Sequence, residues 1–191
     1  MSNDLRLLPE WHEVCKRYRY DITRFAVEAL GMTEENGQAV TPQQEMLFHS
    51  IEVPGSRTSV ASGHGTGKSR SAGIVALWHL LFYPESIMMF TAPQIGQLRT
   101  VVWKEISICL DRLKQGQLGW LADFVTVLAE KVYIKGFEKT WFVFAKTAPK
   151  HNPTNIAGQH GDWYMVWGDE AAGIDDAVME VAIGALTHEF N

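Results

Sequence analysis

Residues 61–69 read ASGHGTGKS and residues 163–170 read WYMVWGDE. A loop that wraps phosphate needs several backbone N–H groups turned inward, and glycines at 63, 65 and 67 permit this where a Cβ would obstruct it. Lys68 can then reach the β- and γ-phosphates of a nucleotide, and the Ser69 hydroxyl can bind Mg²⁺. The expected nucleotide-binding set is Ser62, Gly63, His64, Gly65, Thr66, Gly67, Lys68 and Ser69. Ser62 stands where the usual pattern has glycine, and a small residue with a free N–H fits there. Nucleotide hydrolysis also needs a carboxylate on the metal and a base for water. Asp169 would hold Mg²⁺ together with Ser69, and Glu170 would be the general base, with Lys68 as its catalytic companion. Simple GTPases place water with glutamine, and no NKxD guanine-reading motif occurs, so ATP is favoured over GTP. The bland alternatives are a glycine turn that happens to precede Lys-Ser, and a strand that ends in a solvated acidic turn.

Both motifs need strands and helices to position them. TSVAS (58–62) reads as a short β-branched strand that runs into the loop and then into the helix KSRSAGIVALWHLLFY. IMMFTAP is a second strand, and QIGQLRTVVWKEISICLDRLK is an amphipathic helix. This βαβα order implies a parallel sheet with crossover helices, whose strand ends would bring Asp169 and Glu170 to the crevice that holds the loop. Gly168 would leave room for close packing against the loop strand. KVYIKG and TWFVFAK read as a hairpin-like pair around Gly136, and DDAVMEVAIGAL as a closing helix. Upstream, Pro9 opens a helix, Asp21 and Gly31 bracket a second, and Thr41 with Pro42 start a third.

Composition narrows the setting. The 191 residues are 46% hydrophobic and 20% charged, an ordinary globular balance. The formal charge of -5 offers no general attraction to nucleic acid, so a DNA contact must be local or supplied by another domain or subunit. Cys15 and Cys109 stand far apart, with no CxxC, which argues against a disulfide framework or zinc site and fits a reducing compartment. The start lacks the apolar core of a signal peptide, and the longest apolar run, 74–83, is too short to span a bilayer. A soluble, intracellular protein is expected, with no membrane partner.

Taken together, these stretches resemble the ATPase domain of the large terminase subunit, the motor that packages DNA into tailed-phage and herpesvirus capsids. DITRFAVEALG followed by TPQQ is similar to that family's helix and adenine-side glutamine motif. VASGHGTGKSRS resembles its phosphate loop, FTAPQIGQLRTVVWKEI the segment after its second strand, and NIAGQHGDWYMVWGDEAAGI the run through its acidic pair. The resemblance implies an α/β P-loop NTPase of the RecA-like (ASCE) type, with a mostly parallel central sheet flanked by helices. It places an N-terminal helical segment with the glutamine motif at 1–50 and an incomplete ATPase core at 51–191. Gln44, or its neighbour Gln43, would read the adenine edge. His64 stands where many members carry an arginine that acts on the γ-phosphate. Histidine is shorter and mostly neutral at pH 7, so a side chain facing solvent or a neighbouring subunit is the other reading. Arg57, Arg70, Arg99 and Arg112 are conceivable fingers for a neighbouring subunit, with surface solvation as the plainer reading. His160 and Asp162 are either site neighbours or loop polarity, and Asp175, Asp176 and Glu180 read as a helix cap and solvated face.

The implied function is ATP hydrolysis driving double-stranded DNA into a procapsid, in the cytoplasm of an infected host cell. Implied partners are a portal protein, the small terminase subunit and further copies of the chain. The family's coupling strand and RNase H-type nuclease do not follow Glu170 here, so an ATPase fold cut at its C-terminal end, without DNA cutting, is the expectation. A helicase-like or other RecA-type remodelling ATPase, and a nucleotide-binding module without turnover, are the competing readings.

Overall fold

Helix starts follow the capping residues. Pro9, with its fixed φ, opens α1 (Pro9–Tyr18), which buries Trp11, Cys15 and Tyr18 along one face. The structure, a computed structural model, describes residues 4–61, 63, 65–147, 152–156, 161–184 and 186. The Asp21 side chain accepts from Arg24 N at 2.7 Å and caps α2 (Ile22–Arg24). That helix runs on through a π-helical turn, Phe25–Ala29, and Gly31 follows at φ +63°. Thr41 caps α3 (Pro42–Ile51), with Pro42 in the first turn.

The central helix is α4 (Lys68–Phe82), buried at every position from 71 to 82. A helix apolar on all sides must be covered on all sides. Helices α1 and α3, the long α5 (Ile95–Gln115) and the sheet supply that cover. Its last carbonyls lack helical partners and lie in the core, where an unmet acceptor is costly. Pro84 has no N–H for Leu80 O, and Trp141 Nε1 donates to it instead at 2.7 Å. Trp11 Nε1 donates to Leu81 O at 2.8 Å, and Arg19 Nε to Phe82 O at 2.7 Å. Two indoles and a guanidinium thus close the helix and weld α1 to it.

The sheet has five strands in the order β2-β3-β4-β1-β5. These are β1 (Ile87–Thr91), β2 (Val125–Val127), β3 (Lys131–Ile134), β4 (Phe142–Ala145) and β5 (Tyr164–Gly168). The pairs β4–β1 and β1–β5 are parallel, whereas β2–β3 and β3–β4 are antiparallel. The expected hairpin and both long helices form. The sheet is mixed rather than mostly parallel, because that hairpin, β3–β4, joins the central sheet with one antiparallel pairing and β2 adds a second. Alternation on β1 splits the core. Met88 and Phe90 join α1, α4 and α5, while Ile87 and Met89 join Ile156, Val178 and Ala182 beneath α7 (Asp176–Gly184). A short helix, α6 (Gly119–Ala122), links α5 to β2.

Of the strand expected at 58–62, the described residues 58–61 form none. Residues 58–61 are exposed and outside the sheet, with Thr58 Oγ1 donating to Ser50 Oγ at 2.9 Å. Val60 is its one large apolar side chain and stays 48% exposed. Burying it fully is worth about 1.5–3 kcal/mol, less than the ~4–8 kcal/mol lost in ordering four residues at ~1–2 kcal/mol each.

His79, on α4, is buried, with Nε2 3.2 Å from Trp163 O. Burial pushes its pKa down from 6.5 to about 4. The unfolded chain takes up this proton below pH 6.5, and the folded chain does not until about pH 4, so the unfolded state binds more protons in between. His79 therefore costs no stability above pH 6.5 and lowers it as pH falls toward 4, by about 2 kcal/mol between pH 7 and 5. Urea midpoints for wild type and His79→Gln should converge or cross as pH falls from 7 to 5, and parallel midpoints would refute the assignment.

Candidate functional site

The C-terminal turn of α4 lies at the entry ends of the strands, because Leu80 O meets Trp141, just before β4, and His79 meets Trp163, just before β5. Fifteen helical residues span about 22 Å, while a five-residue strand spans about 17 Å. Lys68 and Ser69 thus stand at the end of α4 away from those entry points. Helix α5 opens four residues after β1, beyond the carboxyl end of that strand, the end at which open α/β sheets hold ligands.

Gly65 (φ +78°) and Gly67 (φ +82°) adopt left-handed backbone that suits glycine. Gly67 leads into α4 without a side-chain cap, and no acidic residue stands in the first turn. The leading N–H groups of α4 thus form the positive end of a long helix at an exposed loop. Lys68 Nζ donates to Gly63 O at 3.0 Å and Thr66 Oγ1 to the same oxygen at 3.3 Å, drawing the loop together. Gly63, Gly65 and Thr66 are exposed, while Lys68 and Ser69 are half-buried. Ser62 and His64 lie outside the described residues.

Asp169 N donates to Thr91 O at 2.8 Å, which extends the β1–β5 ladder by one residue and fixes Asp169 at its end. Glu170 is exposed and has φ +51° and ψ +44°, a conformation that disfavours a Cβ. Gly173 N donates to Glu170 O at 2.8 Å, and Asp175 Oδ1 accepts from Ala177 N at 3.1 Å as the cap expected for α7. A Cβ on Gly168 would meet Ile174, Met179 and Ala171 at ordinary distances, so the room expected there faces α7 and not a loop strand. Asp169 and Glu170 thus stand directly past the carboxyl end of β5. One hydroxyl, one carboxylate and phosphate oxygens form the kind of donor set that Mg²⁺ accepts. No group of three or more His, Cys, Asp or Glu that could hold a metal occurs among the described residues.

Gln44 is 5% exposed. Its Oε1 accepts from Thr41 N at 3.1 Å, while its own N–H meets Thr41 Oγ1 at 3.3 Å, a reciprocal capping box. Its Nε2 lies 3.1 Å from Ser71 Oγ and 3.4 Å from Gly67 O. The T-P-Q-Q spacing carries the capping-box signature, the signal by which sequence could have found this role. Nothing local announces Ser71. Gln43, one position earlier, is exposed.

Two of the arginines have partners within the chain. Arg70 pairs with Glu105 and donates to Gln38 Oε1 at 2.9 Å, while Arg112 reaches the same oxygen and Leu30 O. Arg57 is exposed just before the loop, and Asp162 is exposed before β5. The side chain of Arg99 and all of His160 lie outside the description. A groove of about 370 Å³ between α5 and β2, lined by Lys114, Thr126 and Lys135 among others, lies at the edge of the sheet remote from β5.

No helix among the described residues is long and apolar enough to cross a membrane. Comparison with protein-family models gives no match. No solved structure matches either. Among curated proteins, the chain is 30% identical over 183 residues to "Probable terminase, large subunit" of Enterobacteria phage P7. That alignment takes in 96% of this chain and 36% of the relative, so the chain spans about a third of the length of the protein it matches.

Proposed function

We propose that this chain is the ATP-hydrolysing part of a terminase large subunit, a P-loop ATPase of RecA-like type that drives double-stranded DNA into a phage procapsid. The observation that supports the reading is the N-terminus of α4, which has no side-chain cap and carries Lys68 and Ser69 behind the left-handed Gly65 and Gly67, together with Asp169 and Glu170 directly after β5. The similarity to a phage terminase large subunit along nearly the whole chain supports the direction of the work done.

In this reading the loop from Ser62 to Gly67 wraps the phosphates with backbone N–H groups, and Lys68 leaves Gly63 O to reach the β- and γ-phosphate oxygens. Ser69 and Asp169 would hold Mg²⁺, which supplies neutralisation of phosphate charge. Glu170, exposed at the mouth, takes the proton of the attacking water. Thr91 O keeps the Asp169 backbone in place. The proposed partners are double-stranded DNA, a portal protein, a small terminase subunit and further copies of this chain, in the host cytoplasm.

Calorimetric titration with MgATP tests the site directly. Wild type should bind, and Lys68→Ala should bind about 10–100-fold more weakly, the loss of a charge-assisted contact. Equal affinities would remove the phosphate reading of the loop.

A further inference from the structure

We propose that Gln44 is a positioning residue that sets the shape of the phosphate loop rather than a reader of the base; the proposal rests on the phosphate-binding reading of that loop. A primary amide has two N–H donors and two acceptor positions. In Gln44, Nε2 faces Ser71 Oγ (3.1 Å) and Gly67 O (3.4 Å), and Oε1 faces Thr41 N (3.1 Å) and Thr41 Oγ1 (3.4 Å). Every hydrogen-bonding position of the amide is directed inside the protein, and the residue is buried. To pair with a base edge, which needs one donor and one acceptor together, Gln44 would have to release both α3 and α4.

The contact falls where the loop becomes a helix. Gly67 O accepts from Ser71 N at 2.9 Å and from Ser71 Oγ at 3.1 Å, with Gln44 Nε2 as a third neighbour. A trans peptide is planar, with C=O and N–H on opposite sides. Holding Gly67 O inward therefore aims the N–H of Lys68 the other way, toward the loop. The same amide packs on the Gly67 Cα so closely that a Cβ there would stand 3.0 Å from Nε2, at a residue whose φ of +82° already requires glycine. Gln44 thus ties the start of α3 to the start of α4 and fixes one of the N–H groups that a phosphate would use. The ligand class it acts on is the polyphosphate, whatever base is attached.

Gln44→Glu separates this role from folding. Glutamate at the third helical position keeps the acceptor for Thr41 N, so the capping box survives, but it cannot donate to Gly67 O. Dissociation constants of the 191-residue chain for MgATP, MgGTP and base-free tripolyphosphate should all rise about tenfold in this variant, with the ATP-to-GTP ratio unchanged. Ser71→Ala, which removes one of the two acceptors of Nε2, should give the same pattern at smaller amplitude and serves if Gln44→Glu fails to fold. A changed ATP-to-GTP ratio with unaltered tripolyphosphate binding would make Gln44 a base reader and overturn the proposal, and so would unchanged affinities for all three. A wild-type chain that binds none of the three overturns the phosphate reading itself, which distinguishes the two failures.

Discussion

Glutamine in place of Glu170 should leave MgATP bound within about twofold of wild type while phosphate release falls by about 10²–10⁴-fold, the usual contribution of a general base. The two side chains have nearly the same shape, and the amide oxygen can still accept a hydrogen bond from water. What it cannot do at neutral pH is take the proton as that water attacks. Binding should survive because the proposed phosphate contacts come from the α4 N-terminus, Lys68 and Ser69, on a different element from Glu170. Single-turnover phosphate release, with affinity measured in parallel, reads the two effects separately. Hydrolysis at the wild-type rate would remove Glu170 from the role of base. Loss of binding with hydrolysis would make it a structural part of the nucleotide site.

The largest stability effect is expected at Trp141. This side chain is fully buried and packs edge-on against Trp11 and Phe137, with ring centroids 6.1 and 5.7 Å away. Trp141→Ala should cost about 3–5 kcal/mol, in the range for emptying a buried aromatic site. Two costs add there. The cavity opens between α1, α4 and β4, and Leu80 O, which Pro84 cannot satisfy, loses its donor inside the core. Against a total stability of about 5–15 kcal/mol for a domain of this kind, that is enough to unfold a large fraction of a marginal fold. Denaturant midpoints followed by circular dichroism give the number. Trp141→Phe keeps most of the volume but not the N–H, so it isolates the hydrogen-bonded share. A cost for Trp141→Ala below about 1 kcal/mol would show that the helix end is held by its other contacts.

Alternating glycines before Lys-Ser, and an apolar run ending in Asp-Glu, are local patterns, and α4 and β5 form where those patterns expect a helix and a strand. Helix starts at Pro9, Asp21 and Thr41 were legible for the same reason, since capping is decided within four residues. β-branched content does not make a strand of 58–61, because a strand needs neighbours and burial, and Val60 alone offers little of either. Strand β2 escaped notice because three residues are too few for a period; Trp103 Nε1, donating to Leu128 O at 2.9 Å, helps dock it from α5. A mostly parallel sheet is incompatible with a hairpin that joins it, and β2 adds a second antiparallel pairing. The partnership of Gln44 with Gly67 and Ser71 spans 23 and 27 positions, and no local rule reaches that far.

Glu170 sits in left-handed backbone, where a side chain with a Cβ costs roughly 1–2 kcal/mol relative to glycine. Glycine would relieve that cost, and asparagine part of it. Both would also remove the carboxylate that the proposed chemistry needs. If Glu170 is the base, position 170 is one at which fold stability and hydrolysis pull in opposite directions, and Glu170→Gly should raise the denaturant midpoint while abolishing turnover.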